Sequence, residues 1–190
     1  VAVFMIGLPG SGKSRVIKAR YQSRASQLKT TEVLDLDAEI AQHPEWDEND
    51  PDRLYLDHSL NAYSWADARV EARFMTALHD KSVLRLVLDG TGTNLERRAR
   101  RMRAARDAGM FVKAIYVRVP CQTAIARAAM RSRPVTPERI RHYFSRMPEA
   151  LHVARQNAHE VEIVDVTFDD APLPGQMAGI ESAPIVSMST

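Results

Sequence analysis

Residues 7–14 read Gly7-Leu8-Pro9-Gly10-Ser11-Gly12-Lys13-Ser14. The stretch fits the pattern Gly-x4-Gly-Lys-Ser/Thr in full. The chemistry asks for these residue types. Glycines let successive backbone N–H groups turn inward around an anion with no Cβ in the way. Lys13 sets a point charge against β- and γ-phosphates, and the Ser14 hydroxyl suits one position around a Mg²⁺ ion. The flanks agree with this reading. Val1–Ile6 is a short apolar strand, and Gly12 to about Gln27 has helical character, so the positive end of a helix dipole faces the anion. The stretch therefore reads as a phosphate-binding loop. Gly7, Pro9, Gly10, Ser11, Gly12, Lys13 and Ser14 are its expected nucleotide contacts, with ATP as co-substrate and Mg²⁺ as cofactor.

Outward from the loop, strand-like and helix-like segments alternate, which predicts an α/β fold around a parallel sheet of about five strands with helices on both faces. Glu32–Leu36 is the second strand and ends in Asp35-Leu36-Asp37. Residues 43–53 are a polar loop. Leu54 to Asp80 carries apolar residues at helical spacing and predicts one long helix. Val83–Leu88 is a nearly continuous apolar run, as expected of a strand covered on both faces. Asn94 suits the N-cap of a helix to Ala108, and Gly109 its C-terminal stop. Phe111–Val119 is the next strand, ended by Pro120, and a helix follows to about Arg131. Thr136 with Pro137 opens a helix to about Asn157, with a kink expected at Pro148. Val161–Val166 is the last strand. Residues 1–170 form the expected domain around the phosphate-binding loop, and the Pro/Gly-rich stretch 171–190 a flexible or docked tail.

Moving a phosphoryl group takes a Mg²⁺-orienting carboxylate, a base for the nucleophile and cations for the transferred charge. Asp89 follows an apolar strand, at the sheet edge where ligands of α/β proteins bind, and is the metal-side candidate beside Ser14. Asp37 follows strand two at the same edge and can take a proton from an acceptor hydroxyl, or cap a helix at Ala38–Ala41. Asp35 has a supporting place. Arg127 and Arg131 lie one turn apart on one face, with Arg133 in the adjoining loop; such a cluster can fold over a nucleotide.

Composition narrows the class. The chain has 190 residues, of which 45% are hydrophobic and 26% charged, enough for a full core without disulfides or metal. No apolar run approaches a membrane span, and the opening segment lacks a basic n-region. The expected location is therefore cytoplasmic, with no membrane partner. The lone Cys121 reads as a small packed hydrophobe. Of 26 basic residues, 21 are Arg, a skew that suits bidentate phosphate recognition. Six of them, Arg97 to Arg106, share one expected helix, either as a solvated face or as a polyanion surface. Trp46 and Trp65 are expected either in an acceptor pocket or in the core. No His/Cys spacing suggests zinc.

Taken together, the ordered motifs GLPGSGKS, LDLDAEIAQHPEW, Glu71 in a helix, VLDGTGTNLERR and RAAMRSRPVTPERI resemble the zeta-toxin and polynucleotide-kinase branch of P-loop kinases (AAA_33-type), over about residues 1–166. Zeta toxins phosphorylate a sugar hydroxyl of UDP-N-acetylglucosamine. Resemblance to them implies Asp37 as base, Glu71 as an acceptor contact, Gly90-Thr91-Gly92 with Asp89 at the acceptor edge, Arg127 and Arg133 as phosphate clamps, and an antitoxin as partner if the chain is a toxin. Polynucleotide kinases act on 5′-hydroxyls of DNA or RNA and are similar across Asp89–Arg98 and Val135–Met147. Where they carry an Arg three residues after the base, this chain has Ile40.

The resulting expectation is an ATP-dependent kinase that transfers the γ-phosphate to a hydroxyl of a nucleotide or nucleotide-sugar. Its catalytic group is Lys13, Asp37, Arg127 and Arg133, with Arg131 on the nucleotide; Glu71, Asp89 and Thr91 contact the acceptor. The alternative acceptors are a nucleic-acid 5′-hydroxyl or a hydroxymethylated base. A second alternative is a P-loop ATPase or nucleotide-gated binding module.

Overall fold

A computed structural model describes residues 1–22, 30–50, 53–131 and 133–166. Five parallel strands form one sheet in the order β2-β3-β1-β4-β5. They are β1 (Ala2–Ile6), β2 (Thr31–Leu34), β3 (Arg85–Leu88), β4 (Val112–Arg118) and β5 (Glu160–Asp165). The apolar strand β1 is central, with Phe4 in register with Leu88 on one side and Ala114 on the other. Every β1 residue is buried. Alternation sends Ala2, Phe4 and Ile6 into one core, and Val3 and Met5 into a second on the opposite face.

The second core packs beneath α1 (Lys13–Tyr21) through Ile17. The first packs beneath α4 (Ala62–His79), α5 (Leu95–Asp107), α6 (Cys121–Ala129), α7 (Pro137–Ser145) and α8 (Met147–Asn157). Cys121 packs against this core, as expected of a small hydrophobe. A small third core, around Ile40, Leu54, Ala62 and Ala66, joins α2 (Leu36–Ile40) and α3 (Arg53–Leu56) to α4.

Two expected helices divide. The one expected over 54–80 becomes α3, a 3₁₀ turn at His58–Leu60, and α4. Asp57 Oδ1 accepts from Ser59 N–H, and Asn61 takes a left-handed φ of 49°, so local polar chemistry at the two breaks overrides the apolar spacing. The helix expected over 137–157 breaks at Arg146, two residues before Pro148, which therefore stands in the first turn of α8 where its missing N–H costs nothing. The second strand stops at Leu34, because Asp35 caps α2 directly after it. The caps at Asn94 and Thr136 form as expected, each accepting from the N–H three residues on. Gly109 has the φ of 78° that a helix stop requires. The tail 171–190 lies outside the described residues.

Candidate active site

The loop between β1 and α1 closes on itself, with Ser11 N–H donating to the Leu8 carbonyl at 3.1 Å. Gly10 has φ 81°, and a Cβ there would lie 2.4 Å from the Ala124 carbonyl oxygen of α6. Gly10 is thus fixed both by conformation and by space. Half-buried Lys13 bends back over the loop, its Nζ donating to the Gly7 and Leu8 carbonyls at 3.0 Å each. Burial lowers its pKa most, and the Asp89, Asp35 and Asp37 carboxylates oppose that while Arg131 adds to it. Three acids and an arginine thus act on one ammonium.

The sheet edge gathers these groups. Asp89 N–H donates to the Leu34 carbonyl at 2.9 Å, so β2 and β3 end side by side and bring Asp35 and Asp89 together. Gly7 N–H donates to the Thr91 carbonyl at 3.1 Å and ties the phosphate loop to the Gly90-Thr91-Gly92 turn. Ser14 Oγ is 3.4 Å from Asp89 Oδ2, while Asp89 Oδ1 is buried with no hydrogen-bond partner among the described residues. A hydroxyl beside a carboxylate with a spare buried oxygen suits a hard, oxygen-seeking cation, so the donor set fits Mg²⁺. No group of three or more His, Cys, Asp and Glu residues that could hold a metal occurs among the described residues, so the cation site here rests on Ser14 and Asp89.

The helix cap at α2 falls to Asp35, not Asp37: Asp35 Oδ1 accepts from Asp37 N–H at 2.9 Å. Burial, then the Asp89 and Asp37 charges, raises the Asp35 pKa. Asp37 is left with its carboxylate facing outward. Arg133 Nη2 donates to Asp37 Oδ1 at 2.8 Å, and the Tyr55 hydroxyl donates to the same oxygen at 3.4 Å.

These groups line one cavity of about 1150 Å³. Pro9, Gly10, Gly12, Lys13, Ser14, Asp35, Asp37, Asp89, Thr91, Arg131 and Arg133 all reach it. Ser11 is buried behind the loop, its hydroxyl without a partner among the described residues. Arg127 and Glu71 are not among the lining residues. Arg127 is half-buried on α6. Glu71 on α4 is held by Arg100 and Arg101 of α5, at 3.1 and 2.7 Å. Asp67, one turn earlier, lines the cavity and pairs with Arg97.

The arginine-rich helix departs from a solvated face. Arg98 and Arg101 are buried, and Arg97, Arg100 and Arg101 are spent on the α4 acids. Arg98 Nη2 donates to the Met5 carbonyl at 2.7 Å, while its Nε and Nη1 have no partner among the described residues. Burial, then Arg101 and Arg97, pulls its pKa down to about 9. Trp46 and Trp65 pack in the third core, with Arg69 over the Trp65 ring, and neither lines the cavity. Three tyrosines, Tyr55, Tyr63 and Tyr143, line the cavity. Sequence reasoning passed over these. Tyr55 sits in the short run Arg53–Leu56 after a polar loop, and its apolar pattern is the only signal it offers.

Comparison with known proteins agrees with this architecture. No curated protein matches the chain. Among solved structures, a chain of the PezAT chromosomal toxin–antitoxin system of Streptococcus pneumoniae aligns with a TM-score of 0.66 at 13% identity, over 87% of this chain and 66% of that one. This chain thus spans slightly under two thirds of that protein's chain. Shikimate kinase from Acinetobacter baumannii, in complex with shikimate, aligns with a TM-score of 0.51 at 14% identity, over 88% and 84%. Both likenesses are of fold, that of the P-loop kinases. No helix among the described residues is long and apolar enough to cross a membrane. Residues 3–150 match the AAA_33 family of AAA domains, and with the loop at its sheet edge the chain belongs to that family.

Proposed function

We propose that the chain is an ATP-dependent phosphotransferase that moves the γ-phosphate to a hydroxyl of a nucleotide or nucleotide-sugar. One observation carries the reading: Asp37 opens into the same cavity as Lys13, Ser14, Asp89, Arg131 and Arg133. A carboxylate apart from the phosphate loop, yet facing it across one space, suits a base for an acceptor. Lys13 and the loop amides hold the phosphates. Ser14 and Asp89 would hold Mg²⁺, which when bound neutralises charge on the β- and γ-phosphates. Arg133 stabilises the phosphoryl group in transit and Arg131 holds the nucleotide, while Arg127, outside the cavity lining, is left without a direct role. Thr91 and Asp89 border the acceptor, and Glu71 supports that wall through α5.

A small acceptor is favoured over a nucleic acid by the state of α5. Its arginines at 97, 100 and 101 share the two carboxylates of Asp67 and Glu71, which cancels two of their three charges and leaves less of the basic stripe to draw a polyanion. The likeness to a toxin–antitoxin chain extends the proposal to a protein inhibitor as partner.

Labelled γ-phosphate is offered with Mg²⁺ to UDP-sugars, nucleosides, 5′-hydroxyl oligonucleotides and DNA with hydroxymethylated bases. Label on a nucleoside or UDP-sugar is the expected result. Transfer to an oligonucleotide, lost steeply with salt, overturns the acceptor class. Hydrolysis with no labelled acceptor overturns transfer itself.

A further inference from the structure

Asp37 is already engaged before any ligand arrives. One of its oxygens, Oδ1, receives Arg133 at 2.8 Å and the Tyr55 hydroxyl at 3.4 Å. The same guanidinium lies on the Tyr55 ring, its Cζ 3.4 Å from the ring centroid. Three separate elements meet here: Asp37 from α2, Tyr55 from α3, and Arg133 from the segment between α6 and α7. An acceptor hydroxyl that needs Asp37 Oδ1, and a phosphoryl group that needs Arg133 Nη2, each require this pair to open.

We propose that Tyr55 is a positioning residue that lets one arginine serve two partners in turn. Without a terminal phosphate it keeps Arg133 on Asp37; a triphosphate in the loop draws Arg133 across the ring onto its γ-phosphate and so frees Asp37 for the acceptor. The inference rests on the phosphotransferase reading above and adds an order of events to it: nucleotide first, acceptor second.

Three observations support the exchange. Lys13, Asp37 and Arg133 line one cavity, so a phosphate held by Lys13 would share that space with the parked arginine. A ring face attracts a guanidinium without directional hydrogen bonds, so the cation can shift over it at little cost. The Asp37 side chain is 44% exposed, so the ion pair is one that a multiply charged phosphate can outbid. Burial, then the Asp37 charge, raises the Tyr55 pKa, so the hydroxyl stays a neutral donor to Asp37 throughout.

The exchange has a thermodynamic signature. ATP must break the Arg133–Asp37 pair to bind fully, whereas ADP need not. Calorimetric titration of the full chain with Mg²⁺ and either β,γ-imido-ATP or ADP reads it directly. Asp37→Asn should tighten imido-ATP by about fivefold, the scale of one partly exposed ion pair, and leave ADP within twofold. In an Arg133→Met background the gain should vanish. It should also vanish with Tyr55→Leu, which removes the ring, and persist with Tyr55→Phe, which keeps it. ADP binding serves as the folding control for each variant.

Equal tightening of both nucleotides, or a gain that survives Arg133→Met, would mean plain charge repulsion by Asp37 and overturns the exchange. So does a gain that survives Tyr55→Leu. Absence of ADP binding by the unaltered chain would instead bring down the phosphate-loop reading beneath it.

Discussion

Ser14 Oγ stands 3.4 Å from Asp89 Oδ2, which joins the first turn of α1 to the end of β3 across 75 residues of sequence. The other Asp89 oxygen is buried without a partner among the described residues. A carboxylate held this way is half satisfied, and a divalent cation would complete it. Asp89→Asn should therefore weaken ADP binding about tenfold in Mg²⁺, the lower end of what changes around a metal site cost. In EDTA the same variant should bind ADP at least as well as the unaltered chain, because the lost charge had no metal to serve and only repelled the phosphates. Parallel titrations with and without Mg²⁺ decide it. Equal losses in both would make Asp89 a structural residue.

The phosphate loop contains two glycines whose replacement should differ. Gly10 has φ 81° and no room: a Cβ meets the Ala124 carbonyl at 2.4 Å and the Ala128 nitrogen at 3.1 Å. Gly12 has φ 94° but open space around it. Gly12→Ala should cost about 1 kcal/mol, for backbone strain alone. Gly10→Ala adds displacement of α6 to that strain and should cost about 3 kcal/mol. Urea unfolding of the two variants separates them. Similar midpoints would show that α6 yields to the loop.

What could be read from residue order was whatever short-range chemistry decides. The phosphate loop, the caps at Asn94 and Thr136 and the stop at Gly109 each depend on a few adjacent residues. All of them form as the residue types demand. The inner strands β1, β3 and β4 were legible because buried strands are nearly continuous apolar runs, whereas the edge strands β2 and β5 are only partly buried and mix charged with apolar residues. The helix over 54–80 misled for a related reason: apolar spacing continued through Asp57 and Asn61, whose side-chain and backbone preferences broke it. The fate of the arginines was not legible. Arg98 is buried against Met5, 93 residues away, and Arg133 meets Asp37 across 96. Such pairings arise from topology, and nothing within a few residues of either arginine announces them. The same holds for Glu39, which reads as an ordinary polar position on a short helix.

Glu39 is fully buried, and α2 is only five residues long. Its carboxylate receives Arg69 Nε at 2.8 Å and Arg73 Nη1, and Arg73 also bonds Glu32 of β2. This junction fixes α2, and with it Asp37, against α4. Glu39→Gln keeps the shape and leaves two guanidinium groups facing a neutral amide. Removing one partner of a buried pair costs 3–5 kcal/mol; here the arginine side chains are 45% and 38% exposed, so solvent recovers part of that and about 2 kcal/mol is expected. Burial of Glu39 favours its neutral form, but the hydrogen bonds from Arg69 and Arg73 outweigh it, so its pKa in the folded chain lies below the ordinary 4.5. A carboxylate shifted downward contributes stability that is fully present above its unfolded pKa and is lost as pH falls through the folded value. The gap between the unaltered chain and Glu39→Gln should therefore hold steady from pH 8 to about 5 and narrow below about 4. Denaturant midpoints across that range test it, and a gap unchanged down to pH 3 would mean that the charge on Glu39 contributes nothing to holding α2.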